Sequence, residues 1–552
     1  MSFDLRHLNR RQLLQLMLAG TGSGLLSSAN AAQALAAALP GSQLRGGTLI
    51  ANVTPEPAGL VAGINISSPA VVISASLFDG LLSYDNEYRP QPQLAESWVT
   101  ARDGKSITFR LRKNVTWHDG APFTSDDVKY SIENVVKKTH PRGASNLAKV
   151  IGIDTPDPHT VVFRLSGPSP VLWAVLFGTE TQIVPKHLYE GTNPLTNPWN
   201  TKPIGNGAFV FKEWVRGSHV LLERNPHYWD KGPSGKENKP YLDRVIFKMV
   251  PDAASRAAAL ENGEIQFAAN NPVPESDVAR LRKDPKLVLD TVGWQAPAPV
   301  FFFDFNYRRK TFDDIRVRQA FAHAIDRAAM ARIVWYGLAD VAQSCVPSYQ
   351  KQFFKPGLPQ YDFDPKRAEQ LLDAAGLKRG PDGVRLRIDH ITEVSYGDVY
   401  LRAAEFMRQQ LKNVGVEMKL VNLDLPSVIR KLYTERDFDT ASMWYSAYPD
   451  PQIGVTRRFW SKNIKQGVPS SNASSYSNPE MDRIIEGIQD EGDVARRKVW
   501  IDRLQDFVQA EVPSINLLEL KFFGFYSARL QGLRKGPMLF YSSLADARLG
   551  PA

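Results

Sequence analysis

Apolar residues recur at two different spacings along the chain, and the change from one to the other divides it. Ser106 to Arg112 places Ile107, Phe109 and Leu111 on one face and Thr108, Arg110 and Arg112 on the other, the alternation of a half-buried strand. Thr160 to Leu165 and Val220 to Glu223 read the same way. Between the first two, Thr124 and Asp127 form a capping-box-like start, and Val128, Ile132, Val135 and Val136 follow at helical spacing. Pro226 and Pro240 punctuate a loop after Asn225.

From about residue 310 helices and strands alternate. Asp313 or Asp314 can cap a helix in which Val317, Phe321, Ile325 and Ala328 share a face; Asp364-Pro365 opens a second, closed by Gly376. A helix from about Tyr400 to Asn413 stops at Gly415, and Val416, Met418 and Leu420 then alternate with Glu417 and Lys419 as a strand. Asn478-Pro479 opens a helix carrying Met481, Ile484, Ile485 and Ile488; Trp500, Leu504, Phe507 and Val508 line another, after which Ile515 to Phe525 returns to strand. This alternation predicts α/β lobes, mixed sheets with helices packed on them. Such lobes bind small ligands at strand ends and lobe boundaries.

The N-terminus has a different character. Asn9-Arg10-Arg11-Gln12-Leu13-Leu14 places Arg10 and Arg11 directly before a modestly apolar run, Leu13 to Leu26, with small-residue cleavage options at Ala29-Asn30-Ala31 and Ala36-Ala37-Ala38. The pattern resembles a twin-arginine export signal over residues 1–38 and predicts a soluble periplasmic protein delivered by the twin-arginine translocase.

At 552 residues the chain is several times the usual domain of about 100–150 residues, so two or three lobes are expected. Its 43% hydrophobic and 23% charged residues exclude wholesale disorder. The single cysteine, Cys345, excludes an intramolecular disulfide and a Cys-based metal site, and it lies far from the start, so no lipid anchor on an N-terminal cysteine is expected. Cys345 reads as a small apolar residue. The net charge of +9 is interleaved with acids; the short clusters Arg308 to Lys310 and Arg496 to Lys498 read as solvated faces, not as a nucleic-acid footprint. The nine histidines show no metal-ligand spacing, and neither a Gly-x-Ser-x-Gly elbow nor a Walker A sequence is present. Binding is therefore favoured over catalysis, with no cofactor and no metal expected.

Phe109 to Val135, containing Trp117-His118-Asp119-Gly120, resembles the signature of the family 5 solute-binding proteins of ABC importers, the dipeptide- and oligopeptide-binding group. Further matches follow in order: Phe78-Asp79-Gly80-Leu81, Leu94-Ala95-Glu96-Ser97-Trp98, Pro203 to Gly207, Asn225 to Trp229, Arg316 to Phe321, Ala324 to Arg327 and Tyr448-Pro449-Asp450-Pro451. Most of these residues read as corners and turns by themselves. The resemblance implies a periplasmic-binding-protein clamshell: two α/β lobes joined by a two-stranded hinge, plus an inserted third lobe. Lobe I would combine 41–77, 205–292 and 517–552; the inserted lobe would span 78–204 and lobe II 293–516. A monomer that passes a small-molecule or short-peptide ligand to an ABC permease with its ATPase would result.

The resemblance also directs attention to Trp444, Tyr445, Ser446 and Ala447. In peptide-binding relatives this loop presents an aromatic beneath the ligand and an aspartate that pairs with the peptide's amino group. Trp444 matches the aromatic, but Ala447 stands where the aspartate would be. Loss of such a bond weakens an α-amino ligand by about 10–100-fold unless another carboxylate replaces it. Asp450 is a candidate replacement, although between Pro449 and Pro451 it reads as a turn residue. The expected ligand is then less dependent on a free ammonium: a modified peptide, an opine-like conjugate or a small oligosaccharide. Asn306, Asn206 and Glu56 are the remaining candidate ligand contacts. The competing classes are a secreted hydrolase, which needs a nucleophile–base pair or a metal, and a sensory binding protein.

Overall fold

The structure, a computed structural model, describes residues 45–232 and 239–551. The export segment with Arg10 and Arg11 lies outside the described residues. Three larger sheets organise the rest, each drawing on separate stretches of chain. The seven-stranded sheet runs in the order Leu287–Asp290, Gly524–Ser527, Phe267–Ala268, Thr48–Asn52, Arg244–Lys248, His219–Arg224, Phe209–Val215. The six-stranded sheet runs Ala339–Val341, Ser514–Leu520, Pro299–Phe305, Thr440–Ser446, Leu386–Glu393, Val416–Leu423. The four-stranded sheet, Ala95–Thr100, Ser106–Leu111, Thr160–Leu165 and Val150–Asp157, is wholly antiparallel and comes from the segment read as an insertion.

Caps and periodicity place the helices as physical chemistry predicts. The Asp127 carboxylate accepts the Thr124 N–H at 2.8 Å, completing the capping box at the start of Ser125–Tyr130. Asn478 accepts from the N–H groups of Glu480 and Met481 and opens Pro479–Asp490, whose buried face is Met481, Ile484, Ile485 and Ile488. Two helices differ from the pattern. The apolar spacing through Ile325 and Ala328 reads as one helix, but Ile315–Ala324 ends there: Ile325 is extended, and Asp326 accepts from the Ala329 N–H at 2.8 Å to start Arg327–Ile333. In Val494–Glu511 the buried stripe is Arg497, Ile501, Leu504 and Val508, leaving Trp500 and Phe507 half-buried. Arg497 is thus no part of a solvated face.

The apolar run Ile515 to Phe525 is two strands in two sheets. Glu519 pairs with Val300 and Leu520 with Ala339, so the chain leaves the six-stranded sheet after Leu520. Lys521, Phe522 and Phe523 then lead into Gly524–Ser527 of the other sheet. Both strands are buried on both faces, and such strands read as a continuous hydrophobic run with no visible break. The chain makes its other crossing between Leu287–Asp290 and Pro299–Phe305.

The sequence signatures converge on one buried carboxylate. Asp79 accepts hydrogen bonds from the Tyr228 hydroxyl (2.9 Å), the Trp229 indole N–H (2.7 Å) and the Gln93 amide (2.7 Å), while its own backbone N–H donates to Asn206 Oδ1 at 2.9 Å. Gly205 and Gly207 lie against the Leu77 backbone, where a Cβ on Gly205 would meet the Leu77 carbonyl oxygen at 1.9 Å. His118 clamps the same stretch: its Nδ1 accepts from the Gly205 N–H and its Nε2 faces the Gly207 carbonyl, both at 3.1 Å. Burial pushes this imidazole down to about 4, so it serves as a neutral donor and acceptor.

Burial lifts Asp79 from 3.8 to about 6 against the pull of its donors. The folded state then holds this proton more tightly than the unfolded chain does. Its stabilising contribution is full below about pH 4 and is lost as pH rises through about 6. In urea unfolding, the stability advantage of wild type over Asp79→Asn should therefore shrink by about 2 kcal/mol between pH 4 and pH 7. A difference independent of pH would show that the carboxyl is ionised throughout.

Candidate ligand-binding cavity

Two parallel strands end side by side. Leu386–Glu393 pairs with Thr440–Ser446 through His390 with Thr440 and Thr392 with Ser442, so Glu393 and Met443 to Ser446 emerge at one edge of the sheet. Carboxyl ends of parallel strands are where open α/β sheets hold ligands. A cavity of about 590 Å³ opens there, within the usual range for small-molecule sites. Its opposite walls come from residues 58–68 and from Pro141 and Arg142 of the inserted segment.

Aromatic rings shape the sheet side. Trp444 meets Phe522 edge-on at 5.0 Å and Tyr396 at 5.6 Å. Tyr445 is anchored in the wall, its hydroxyl donating to the Cys345 carbonyl at 2.7 Å. Cys345 itself is buried, and burial pushes its thiol up to about 12, which leaves it inert as a nucleophile. Tyr448 holds a left-handed backbone conformation at φ 59° and presents its ring to the Arg142 guanidinium, 4.5 Å from the centroid.

Charges in the lining are arranged in pairs, with two exceptions. Arg142 grips Glu180 with two nitrogens, one of them Nε at 3.2 Å from Oε2. Burial opposes the charge on Glu180, yet the Arg142 guanidinium holds its carboxyl below the usual range. Arg458 lies 3.0 Å from Asp304 and stacks 3.8 Å over Phe302 and 4.4 Å over Tyr445. Glu393 and Arg457 complete the charged lining.

Of the candidate ligand contacts named from the sequence, Trp444, Tyr445 and Ser446 line this cavity and the others do not. Ala447 is buried behind it, its N–H donating to the Ala298 carbonyl at 3.0 Å. Asn306 follows Phe305, which pairs with Thr440 at the start of an antiparallel neighbour, so it sits at the opposite sheet edge and donates to the Arg436 and Phe438 carbonyls. Asn206 is engaged with Asp79. Glu56 accepts from the Trp214 indole at 3.0 Å and the Gly217 N–H at 3.1 Å, outside the lining. Asp450 caps Pro451–Gly454 and forms a buried bidentate pair with Arg497, both contacts at 2.7 Å. Its carboxylate is buried and lies outside the cavity lining. The cavity-lining residues that the sequence reading missed include Arg142, Asp304, Glu393, Tyr396, Arg457 and Arg458. Only the adjacency of Arg457 and Arg458 to the Pro449-Asp450-Pro451 turn could have pointed to two of them.

Residues 89–466 match the bacterial extracellular solute-binding proteins, family 5. The chain belongs to this family. Among curated relatives of this family 5 protein, the oligopeptide-binding protein AppA of Bacillus subtilis is 27% identical over 487 residues, covering 85% of each chain. The dipeptide-binding protein of Escherichia coli is 25% identical, covering 81% of this chain and 84% of its own. The solved structure of B. subtilis AppA with a nonapeptide superposes with a TM-score of 0.79 over 92% of this chain and all of that one. NikZ of Campylobacter jejuni in complex with Ni(L-His) superposes at 0.78, with 25% identity, over 91% of this chain and 99% of its own.

Removing one partner of a buried ion pair strands the other charge. Arg497→Met should destabilise the family 5 fold by about 3–5 kcal/mol in urea unfolding, with part of the loss recovered when Asp450→Asn is added. A loss below about 1 kcal/mol would place the pair in solvent.

Proposed function

We propose that this protein captures a peptide or peptide-like solute outside the cytoplasmic membrane and delivers it to the permease of an ABC importer, whose ATPase supplies the energy. The observation that carries this reading is the cavity of about 590 Å³ at paired strand ends, walled by the six-stranded sheet on one side and by residues 58–68 and 141–142 on the other. A solute touching both sides stabilises the state in which they are together, and the two chain crossings are the natural hinge. The lining holds neither histidine nor cysteine, which supports binding rather than acyl transfer. The relatives named for oligopeptides and dipeptides favour a peptide-like solute. Export by the twin-arginine translocase and a monomeric state complete the proposal.

The test is calorimetric titration of the exported protein with unmodified di- to pentapeptides, alongside mass spectrometry of solute co-purified from its native periplasm. Binding at micromolar or tighter affinity by at least one peptide length, with a peptide-like mass recovered, is the expected result. A recovered sugar with no peptide affinity would overturn it.

A further inference from the structure

Five charged side chains line the cavity: Arg142, Asp304, Glu393, Arg457 and Arg458. Three are neutralised within the protein, Arg142 by Glu180 and Arg458 by Asp304. Among the described residues neither Glu393 nor Arg457 has an ion-pair partner, and they do not pair with each other. Glu393 is buried and Arg457 half-buried, and a charge held there without a partner is unfavourable, so a complementary charge from outside would stabilise each.

Their surroundings differ in sign. Glu393 ends the strand Leu386–Glu393 beside Ser442, Met443 and Trp444, and one of its oxygens accepts the Ser395 N–H at 2.6 Å. Burial raises its proton affinity, and Asp424, a like charge, adds to the rise. Among the described residues the Arg457 side chain makes one long hydrogen bond, its Nε donating to the Gly454 carbonyl at 3.4 Å. Arg142 repels it, and the oxygens of nearby Glu180 are already taken by Arg142. Burial first, and Arg142 second, pull Arg457 down to about 10. Tyr433 and Tyr448 flank it.

We infer that the bound solute is zwitterionic, with its cationic group on Glu393 beside Trp444 and Tyr396 and its carboxylate on Arg457 beside Tyr448 and Tyr433. The assignment rests on the peptide-like reading above. It gives a free ammonium a partner despite Ala447, and so reverses the expectation of a ligand less dependent on one. It also fixes the direction in which a peptide lies, with its amino end toward Glu393.

The experiment takes the best-binding unmodified tri- to pentapeptide and measures calorimetric affinity for that peptide, its N-acetylated form and its C-amidated form. Wild type, Glu393→Gln, Arg457→Met and Arg457→Lys are compared, with circular dichroism and thermal unfolding confirming that each variant is folded. Each blocking group should weaken wild-type binding by about 10–100-fold. Glu393→Gln should lose a similar factor for the free peptide and little more for the acetylated one; Arg457→Met should behave likewise toward the amidated one, and Arg457→Lys should retain most affinity. Tight wild-type binding indifferent to both blocking groups would overturn this assignment and leave the peptide reading intact. Failure of every free peptide to bind wild type would overturn both. The wild-type arm decides even where a variant fails to fold.

Discussion

Everything in the cavity depends on how the chain passes between its two large sheets, and that passage is packed by aromatic rings. Trp294, in the first crossing, stacks on Phe540 at 5.3 Å and meets Phe522, from the second crossing, edge-on at 6.0 Å. Tyr541 closes on the same indole at 5.5 Å. Such ring pairs contribute about 0.5–1.5 kcal/mol each beyond their buried area, enough to hold two short connections in register. Phe522 then bears on Trp444, and Trp444 on Tyr396. The sheet-side wall of the cavity is therefore continuous with the crossings, so a shift of one sheet against the other moves the Trp444 ring.

A second constraint fixes the loop after Ser446. Asp450 is tied to Arg497 on the helix Val494–Glu511, Arg458 is tied to Asp304 on the strand Pro299–Phe305, and Gly454 lies so close to the Ser446 carbonyl that a Cβ would sit 1.9 Å from it. Buried ion pairs add little net stability because both charges must be stripped of water, but they penalise every arrangement in which the partners separate. Arg457 stands between two such fastenings. Its guanidinium is held at the cavity by restraints on its neighbours, which is how an uncompensated charge can be kept there without folding away to solvent.

The elements were legible in the sequence wherever periodicity and caps agreed, as in Pro365–Ala374 after Asp364 and Val416–Leu423 after Gly415. They were illegible where burial on both faces erased the pattern, which hid the break between Leu520 and Gly524. A local cap overrode the pattern at Asp326, where the apolar spacing ran on through the end of a helix. Arg497 was misread because a triplet of basic residues looks solvated until the helical spacing to Ile501, Leu504 and Val508 is considered. For the site, the aromatic stretch Trp444 to Ser446 could be read from the chain, whereas Arg142, Glu393 and Arg457 are brought together only by topology. No spacing along the sequence encodes a meeting of residues some 300 positions apart.

The most recognisable residues turn out to be joinery. Asp79, Gln93, His118, Asn206, Tyr228 and Trp229 form one hydrogen-bonded junction beneath the helix end at Leu77, and none of the charged cavity residues belongs to it. A junction of this kind requires donors and acceptors matched one to one in a dry interior, so its residues are tightly specified whatever the solute. The cavity obeys a looser rule: its charges need only complement the ligand, and a carboxylate can be supplied from any strand end that reaches it. With the ammonium on Glu393, as proposed, alanine at 447 changes less than its position implies. The strand beside it ends in Glu393, and the same edge of the sheet still presents a negative charge next to Trp444.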